Sequence, residues 1–213
     1  MRKEEATYHS ISFAIVGSGG AGVLTAGSIL LEAAGKAGWY GIMSRSVGPQ
    51  IRGGEAAALV RLSTRPVDCA AESYDLMVAL DWRMAEGFAA EMPLTAESMV
   101  IGNSSAGDTP AAIVSTGATL EQVEMKELAG DVPGGRENMI ATGLVAGLTG
   151  LPLDDIMSVI TARLAGKGVD AIEASRECIK TGLRHSEQFG QSFILERPAS
   201  KTTARWLITG NEA

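Results

Sequence analysis

Cysteine and histidine are scarce in this chain, with two of each. Cys69 and Cys178 lie far apart, a spacing that points neither to a disulfide framework nor to a zinc site. Two thiolates also fall short of the four that usually hold an iron–sulfur cluster. His9 sits in a polar leading stretch and His185 is the only other histidine, so metal ligation and Ser-His-Asp chemistry both lack material. No apolar run approaches the roughly 18–20 residues that span a bilayer, and Met1–Ser10 has no apolar core of a signal peptide. A cytoplasmic protein with no membrane partner is the expectation. Positive charge is in deficit, with 18 Lys and Arg against 25 Asp and Glu and a net charge of −7. Non-specific nucleic-acid binding needs a positive surface, so no nucleic-acid partner is expected. A local basic pocket built on Arg45 and Arg52 is still compatible with that balance.

Apolar residues make up 46% of the chain and charged ones 20%, which favours a folded α/β domain over disorder. The most informative stretch is Ile11-Ser-Phe-Ala-Ile-Val-Gly17-Ser-Gly-Gly-Ala-Gly22. A short apolar run reads as a strand, stops at Gly17, and yields to a glycine-rich turn. Val23 to Glu32 then reads as a helix. In that arrangement backbone N–H groups at the helix N-terminus can face an anion, and a Cβ would block its close approach. Gly17, Gly19 and Gly22 match G-x-G-x-x-G, but the pattern alone does not name a ligand, and glycines also serve to pack the first helix tightly on the sheet. A nicotinamide-binding domain calls for an acidic residue about 20 positions on, to hold the ribose. Trp39-Tyr-Gly-Ile-Met-Ser-Arg45 supplies none. Arg45 suits a 2′-phosphate instead, which keeps NADP open.

Further along, Ser44-Arg-Ser-Val-Gly-Pro-Gln-Ile-Arg-Gly-Gly54 is punctuated as a loop that holds an arginine between turns. Glu55–Ser63 and Asp75–Leu80 read as strands, and Ser98–Gly102 and Ala112–Val114 are further strand candidates. Asn103–Gly107 is a polar turn at a strand's carboxyl end, where open α/β sheets place ligands. The C-terminal part changes character. Asn138–Leu148 is rich in small residues, and Gly143 and Gly147 are one helical turn apart, a face that admits another backbone. Leu151–Asp155 reads as a helix start, with Asp154 and Asp155 at the positive end of the dipole. A long helix is expected from about Asp170 to Phe189. Arg197–Ala204 reads as a linker. The fold expected is α/β, a Rossmann-like open sheet with helices on both faces and a helical C-terminal part.

These pieces together resemble the gamma component of the 2-oxoacid:ferredoxin (acceptor) oxidoreductases. The resemblance rests on Gly17-Ser-Gly-Gly-Ala-Gly-Val23 with Ala26-Gly27, and on Ser46-Val-Gly-Pro-Gln-Ile-Arg-Gly-Gly-Glu55. The order that follows also fits: Val60-Arg-Leu-Ser63, Asp75–Leu80, Asn103-Ser104, and Asn138 opening a small-residue helix. It covers about 10–190, and the two glycine segments side by side are far more specific than either alone. Ala21 departs from the glutamine common in the family. Trp206-Leu-Ile-Thr-Gly-Asn-Glu-Ala213 looks like the junction to a thiamine-pyrimidine domain in fused alpha subunits. On that reading, 1–9 is a tail, 10–192 the gamma-type domain, and 193–213 a linker.

The family oxidatively decarboxylates a 2-oxoacid on thiamine diphosphate, passes electrons through iron–sulfur clusters to ferredoxin, and releases an acyl-coenzyme A. The resemblance implies that thiamine diphosphate, magnesium and the clusters lie in partner alpha and beta components. No catalytic residue and no metal ligand is expected here, in keeping with the lack of paired carboxylates or an activated nucleophile. The implied role is an accessory domain that helps form the coenzyme A site, inactive in isolation, with 2-oxoglutarate the favoured substrate. Gly17, Ser18, Gly19, Gly20, Gly22, Arg45, Gln50, Arg52, Gly53 and Asn103 are the residues expected to contact the cofactor. Each also has a plainer use: Arg52 can brace its loop through carbonyls, and Asn103 can cap a turn. An NADP-dependent reductase and a pure assembly module are the alternatives.

Overall fold

The computed structural model describes residues 7–47, 54–82 and 92–198. Strand β1 (Ser10–Ser18) leads through the glycine turn into α1 (Val23–Ala37), then β2 (Tyr40–Val47) and β3 (Glu55–Ser63). Strands β4 (Leu76–Ala79) and β5 (Met99–Asn103) follow, then a 3₁₀ turn (Ser104–Ala106), the short α2 (Ala111–Val114) and β6 (Thr119–Val123). The remainder is helical: α3 (Met125–Gly130), α4 (Glu137–Thr149), α5 (Leu153–Leu164) and α6 (Val169–Ser186).

The strands form one six-stranded sheet in the order β2-β3-β1-β4-β5-β6. Strands β1, β4, β5 and β6 run parallel, while β3 is antiparallel to both β1 and β2. The expected open α/β sheet with a helical C-terminal part is thus what the chain forms. Strands β4 and β5 are buried at every position and β1 at all but its ends, which is why they read as continuous apolar runs. The departure from a parallel nucleotide-binding sheet is β3. It inserts between β2 and β1, so the second strand of the chain is not the neighbour of the first.

One face of the sheet carries α1, α4, α5 and α6 over a core that includes Ile11, Phe13, Ile15, Val60 and Ile101. The opposite face is thinner. There Ala14, Val16, Met77 and Val100 pack against Tyr74, Trp82 and Met92 from connecting segments and Ile113 from α2.

Two local expectations need correction. Ala112–Val114, expected as a strand, lies in α2, where the Ile113 and Val114 N–H groups donate to the Pro110 carbonyl and only Ile113 is buried. The sixth strand is Thr119–Val123. Ser44–Val47, expected in a loop, closes β2. As an edge strand, β2 exposes Ser44, Arg45 and Val47 to solvent, and a polar sequence suits that position.

The small-residue face of α4 meets α6. A Cβ on Gly143 would run into the Ile179 carbonyl, one on Gly147 into the Ser186 hydroxyl, and one on Gly182 of α6 into the Ile140 carbonyl. The two backbones therefore touch, and this crossing fixes where α4 begins. Beyond α6 the chain returns to the domain. Phe193 and Leu195 donate to the Leu148 and Thr149 carbonyls, and Trp39 Nε1 donates to the Glu196 carbonyl at 2.6 Å.

Candidate functional site

In open α/β sheets ligands sit beyond the carboxyl ends of the strands, where the chain switches direction across the sheet. Here the chain leaves β1 toward β2 on one side and later builds β4, β5 and β6 on the other. The switch point therefore lies between β1 and β4. Ser18 at the end of β1 and Asp81 just past β4 straddle it, with Ser18 Oγ donating to Asp81 Oδ2 at 2.8 Å.

The glycine turn rises from this point. Gly20 and Gly22 have φ of 97° and 84°, a region in which a side chain is strained. Their surroundings differ. A Cβ on Gly20 would meet nothing within 4 Å, whereas one on Gly22 would collide with the Asn138 side chain. Gly17 is tight for packing reasons, its Cβ position lying 3.1 Å from Val23 and 3.3 Å from Leu80. Gly19 and Gly20 are exposed at the tip. Gly22 caps α1 with no side-chain hydrogen bond, so the first N–H groups of α1 have no cap from a side chain and no intrahelical partner.

Not every amide of the turn points outward. Gly19 N donates to the Gly54 carbonyl at 2.6 Å, and Ala21 N donates to the Ser18 carbonyl. The first of these bonds ties the turn to the start of β3. Val47, which precedes the Gly-Pro-Gln-Ile-Arg-Gly-Gly segment, and Gly54, which ends it, thus lie at the same edge of the sheet as the glycine turn, because Val47 pairs with Ala56 and Ala56 with Gly17. Gln50, Arg52 and Gly53 themselves lie outside the described residues.

Asn103, at the end of β5, is 1% exposed. Its Nδ2 donates to Glu137 Oε2 at 2.7 Å and to the Leu80 carbonyl at 3.3 Å, and its Oδ1 accepts from Ser105 Oγ. In this arrangement Asn103 fastens the ends of β4 and β5 to the start of α4. The next residue of α4, Asn138, is buried and donates through Nδ2 to the Gly22 carbonyl at 3.2 Å. The N-termini of α1 and α4 converge on the glycine turn.

The structure therefore brings together Gly17, Ser18, Gly19, Gly20 and Gly22, with Asn103 behind them. It does not bring Arg45 to them. Arg45 pairs with Ala58, which pairs with Ile15, so it stands level with Ile15 on the far edge strand. Neighbouring strands lie about 4.8 Å apart, which puts β2 roughly 10 Å from β1.

Three residues of the site were not anticipated. Asp81 sits just after a buried strand, a signal the sequence did carry, since such positions end at the ligand-facing edge. Glu55 pairs directly with Ser18, a placement that only the insertion of β3 creates. Glu137 gave no sequence signal beyond opening a helix. Together they bring three carboxylates to the site, with Arg136 next to Glu137 at the start of α4, so an anion on the glycine turn calls for a further compensating cation. Two buried polar atoms at the same sheet edge, Trp82 Nε1 and Ser104 Oγ, have no hydrogen-bond partner. Among the described residues no group of three or more His, Cys, Asp or Glu side chains could hold a metal ion, and no helix is long and apolar enough to cross a membrane.

Comparison with solved structures finds the same fold. A 2-oxoglutarate:ferredoxin oxidoreductase from Magnetococcus marinus, solved with 2-oxoglutarate, coenzyme A and succinyl-CoA bound, matches at a TM-score of 0.78 and 18% identity. The match covers 90% of this chain and 34% of that one, so the chain spans about a third of that protein's length. A pyruvate oxidoreductase subunit from Thermotoga maritima matches at a TM-score of 0.65 and 22% identity, covering 83% of this chain and 97% of that subunit. The gamma subunit of a keto/oxoacid ferredoxin oxidoreductase from Geobacter sulfurreducens gives 0.64, 22%, 83% and 98% in the same order. A comparison with curated proteins finds no match. The sequence model of the pyruvate ferredoxin/flavodoxin oxidoreductases matches residues 12–185, most of the chain, and this chain belongs to that family.

Proposed function

We propose that the chain is an accessory domain that helps form the coenzyme A site of a 2-oxoacid:ferredoxin oxidoreductase. Thiamine diphosphate, magnesium and the iron–sulfur clusters lie in partner domains or subunits, and ferredoxin accepts the electrons. The oxoacid favoured is 2-oxoglutarate, in line with the ligands of the Magnetococcus enzyme.

The observation that carries the reading is the exposed glycine tip on an uncapped helix N-terminus at the switch point of the sheet. Coenzyme A has a pyrophosphate and a 3′-phosphate that suit free backbone N–H groups, because no Cβ stands in the way at Gly20. Its ribose hydroxyl and adenine amino groups are donors that suit the Asp81 and Glu55 carboxylates. The compensating cation is assigned to Arg52, whose segment ends at Gly54, the residue bonded to Gly19 of the turn. The NADP reading is weaker in this fold. Arg45 stands two strands away from β1, and the strand beside β1 is the antiparallel β3.

Titrating the chain, and the assembled enzyme that contains it, with coenzyme A and with NADPH tests the reading. Saturable binding of coenzyme A to the assembled enzyme, weakened by Gly20→Val, supports it. Binding of NADPH to the chain would favour a reductase, and binding of neither ligand an assembly module. The chain alone should reduce no acceptor with 2-oxoglutarate, pyruvate or a branched 2-oxoacid.

A further inference from the structure

We infer that Asn138 is a positioning residue for the glycine turn, holding it in the shape that admits the ligand. The inference rests on the reading that this turn contacts coenzyme A. Asn138 is 5% exposed, so its side chain touches protein rather than ligand. Its amide donates to the Gly22 carbonyl at 3.2 Å. The same amide fills the space that a Cβ on Gly22 would need. Gly22 is therefore held from two directions: its carbonyl is bonded, and its left-handed backbone lies against a side chain that leaves room only for hydrogen.

Asn138 is itself anchored. Its carbonyl accepts from Thr142 Oγ1 at 2.7 Å one turn along α4, and α4 is locked to α6 at Gly143 and Gly182. The neighbouring Glu137 is tied to Asn103 at the end of β5. A rigid helix pair thus sets where Asn138 stands, and Asn138 sets the first turn of α1. Movement of this side chain reaches the glycine turn through the Gly22 carbonyl, without Asn138 itself meeting the ligand.

The test is steady-state kinetics on the assembled enzyme with wild type, Asn138→Leu, Asn138→Ala, Gly22→Ala, the double variant Gly22→Ala/Asn138→Ala, and Gly20→Val. Asn138→Leu keeps the branching and removes the donor. It should raise the KM for coenzyme A about 5-fold, the factor carried by one neutral hydrogen bond, and lower the melting temperature by about 2–4 °C for the same lost bond, while leaving the KM for the 2-oxoacid near wild type. Gly22→Ala should raise the KM for coenzyme A, and adding Asn138→Ala should recover part of that loss by vacating the contested space. If Gly20→Val raises the KM for coenzyme A but both Asn138 variants leave it at the wild-type value, or raise both KM values together, the positioning role is overturned and the ligand site stands. If Gly20→Val also leaves it unchanged, the ligand reading of the turn fails and the inference falls with it.

Discussion

Gly143→Ala and Gly35→Ala should move stability in opposite directions. Replacing a glycine within a helix by alanine ordinarily stabilises by about 0.5–1 kcal/mol, because the unfolded chain loses freedom. A Cβ on Gly35, in α1, would meet nothing within 4 Å, so this position should show that gain. Gly143 should not. Its Cβ would overlap the Ile179 carbonyl and lie 2.8 Å from Leu183 N. Both obstacles are backbone atoms of α6, which cannot turn aside as a side chain can. The helices must part instead, and overpacking of this kind costs about 1–3 kcal/mol. For a domain of this size each kcal/mol shifts Tm by about 2–4 °C. Gly143→Ala should therefore melt roughly 2–12 °C below wild type, and Gly35→Ala roughly 1–4 °C above it. Calorimetric scans of the three proteins in one buffer give the comparison. An equal rise in both variants would mean that α4 and α6 do not meet backbone to backbone, and the anchoring of Asn138 would lose its basis.

The pH dependence of stability should carry a contribution from Asp75. Burial raises its carboxyl above the ordinary 3.8, although the Ser12 N–H donates to it at 2.7 Å. The folded state then holds this proton more tightly than the unfolded chain. Its contribution is full at low pH and declines as pH rises from 3.8 through the folded value. In urea melts, the stability of wild type relative to Asp75→Asn should fall across that acidic window and level off above it; a rise would contradict the burial argument. The thiols should separate cleanly. Cys69 is exposed, whereas Cys178 is buried and its thiol is pushed up, chiefly by burial. Thiol labelling of the native chain should reach Cys69 at once and Cys178 only after unfolding, and equal rates would contradict the packing of α6.

The strand, glycine turn and first helix were legible because each carries a strong local signal: a buried apolar run, a cluster of glycines, and a periodic apolar face. The α4–α6 crossing was half legible, since Gly143 and Gly147 announced a close neighbour without saying which. Thr119–Val123 was not legible as a strand, because at the sheet's edge only Val123 is fully buried and the alternation is faint. Ala112–Val114 misled for the converse reason, three apolar residues being too short to show a period. Nothing local could reveal that β3 would insert between β2 and β1. Strand pairing is decided by contacts distant in sequence, and that insertion puts Glu55 beside Ser18 and leaves Arg45 on the far edge strand. The role of Asn138 was hidden likewise, because it depends on a carbonyl more than a hundred residues away.

The central claim is that coenzyme A lies against this domain, and hydrogen exchange of the assembled enzyme with and without coenzyme A tests it most directly. Amides of Gly20–Val23 at the start of α1, together with those of the 48–54 segment, should exchange more slowly when the ligand is bound, with little change along α5 and α6. Protection confined to peptides of the partner chains, with the glycine turn exchanging at its ligand-free rate, would contradict the account.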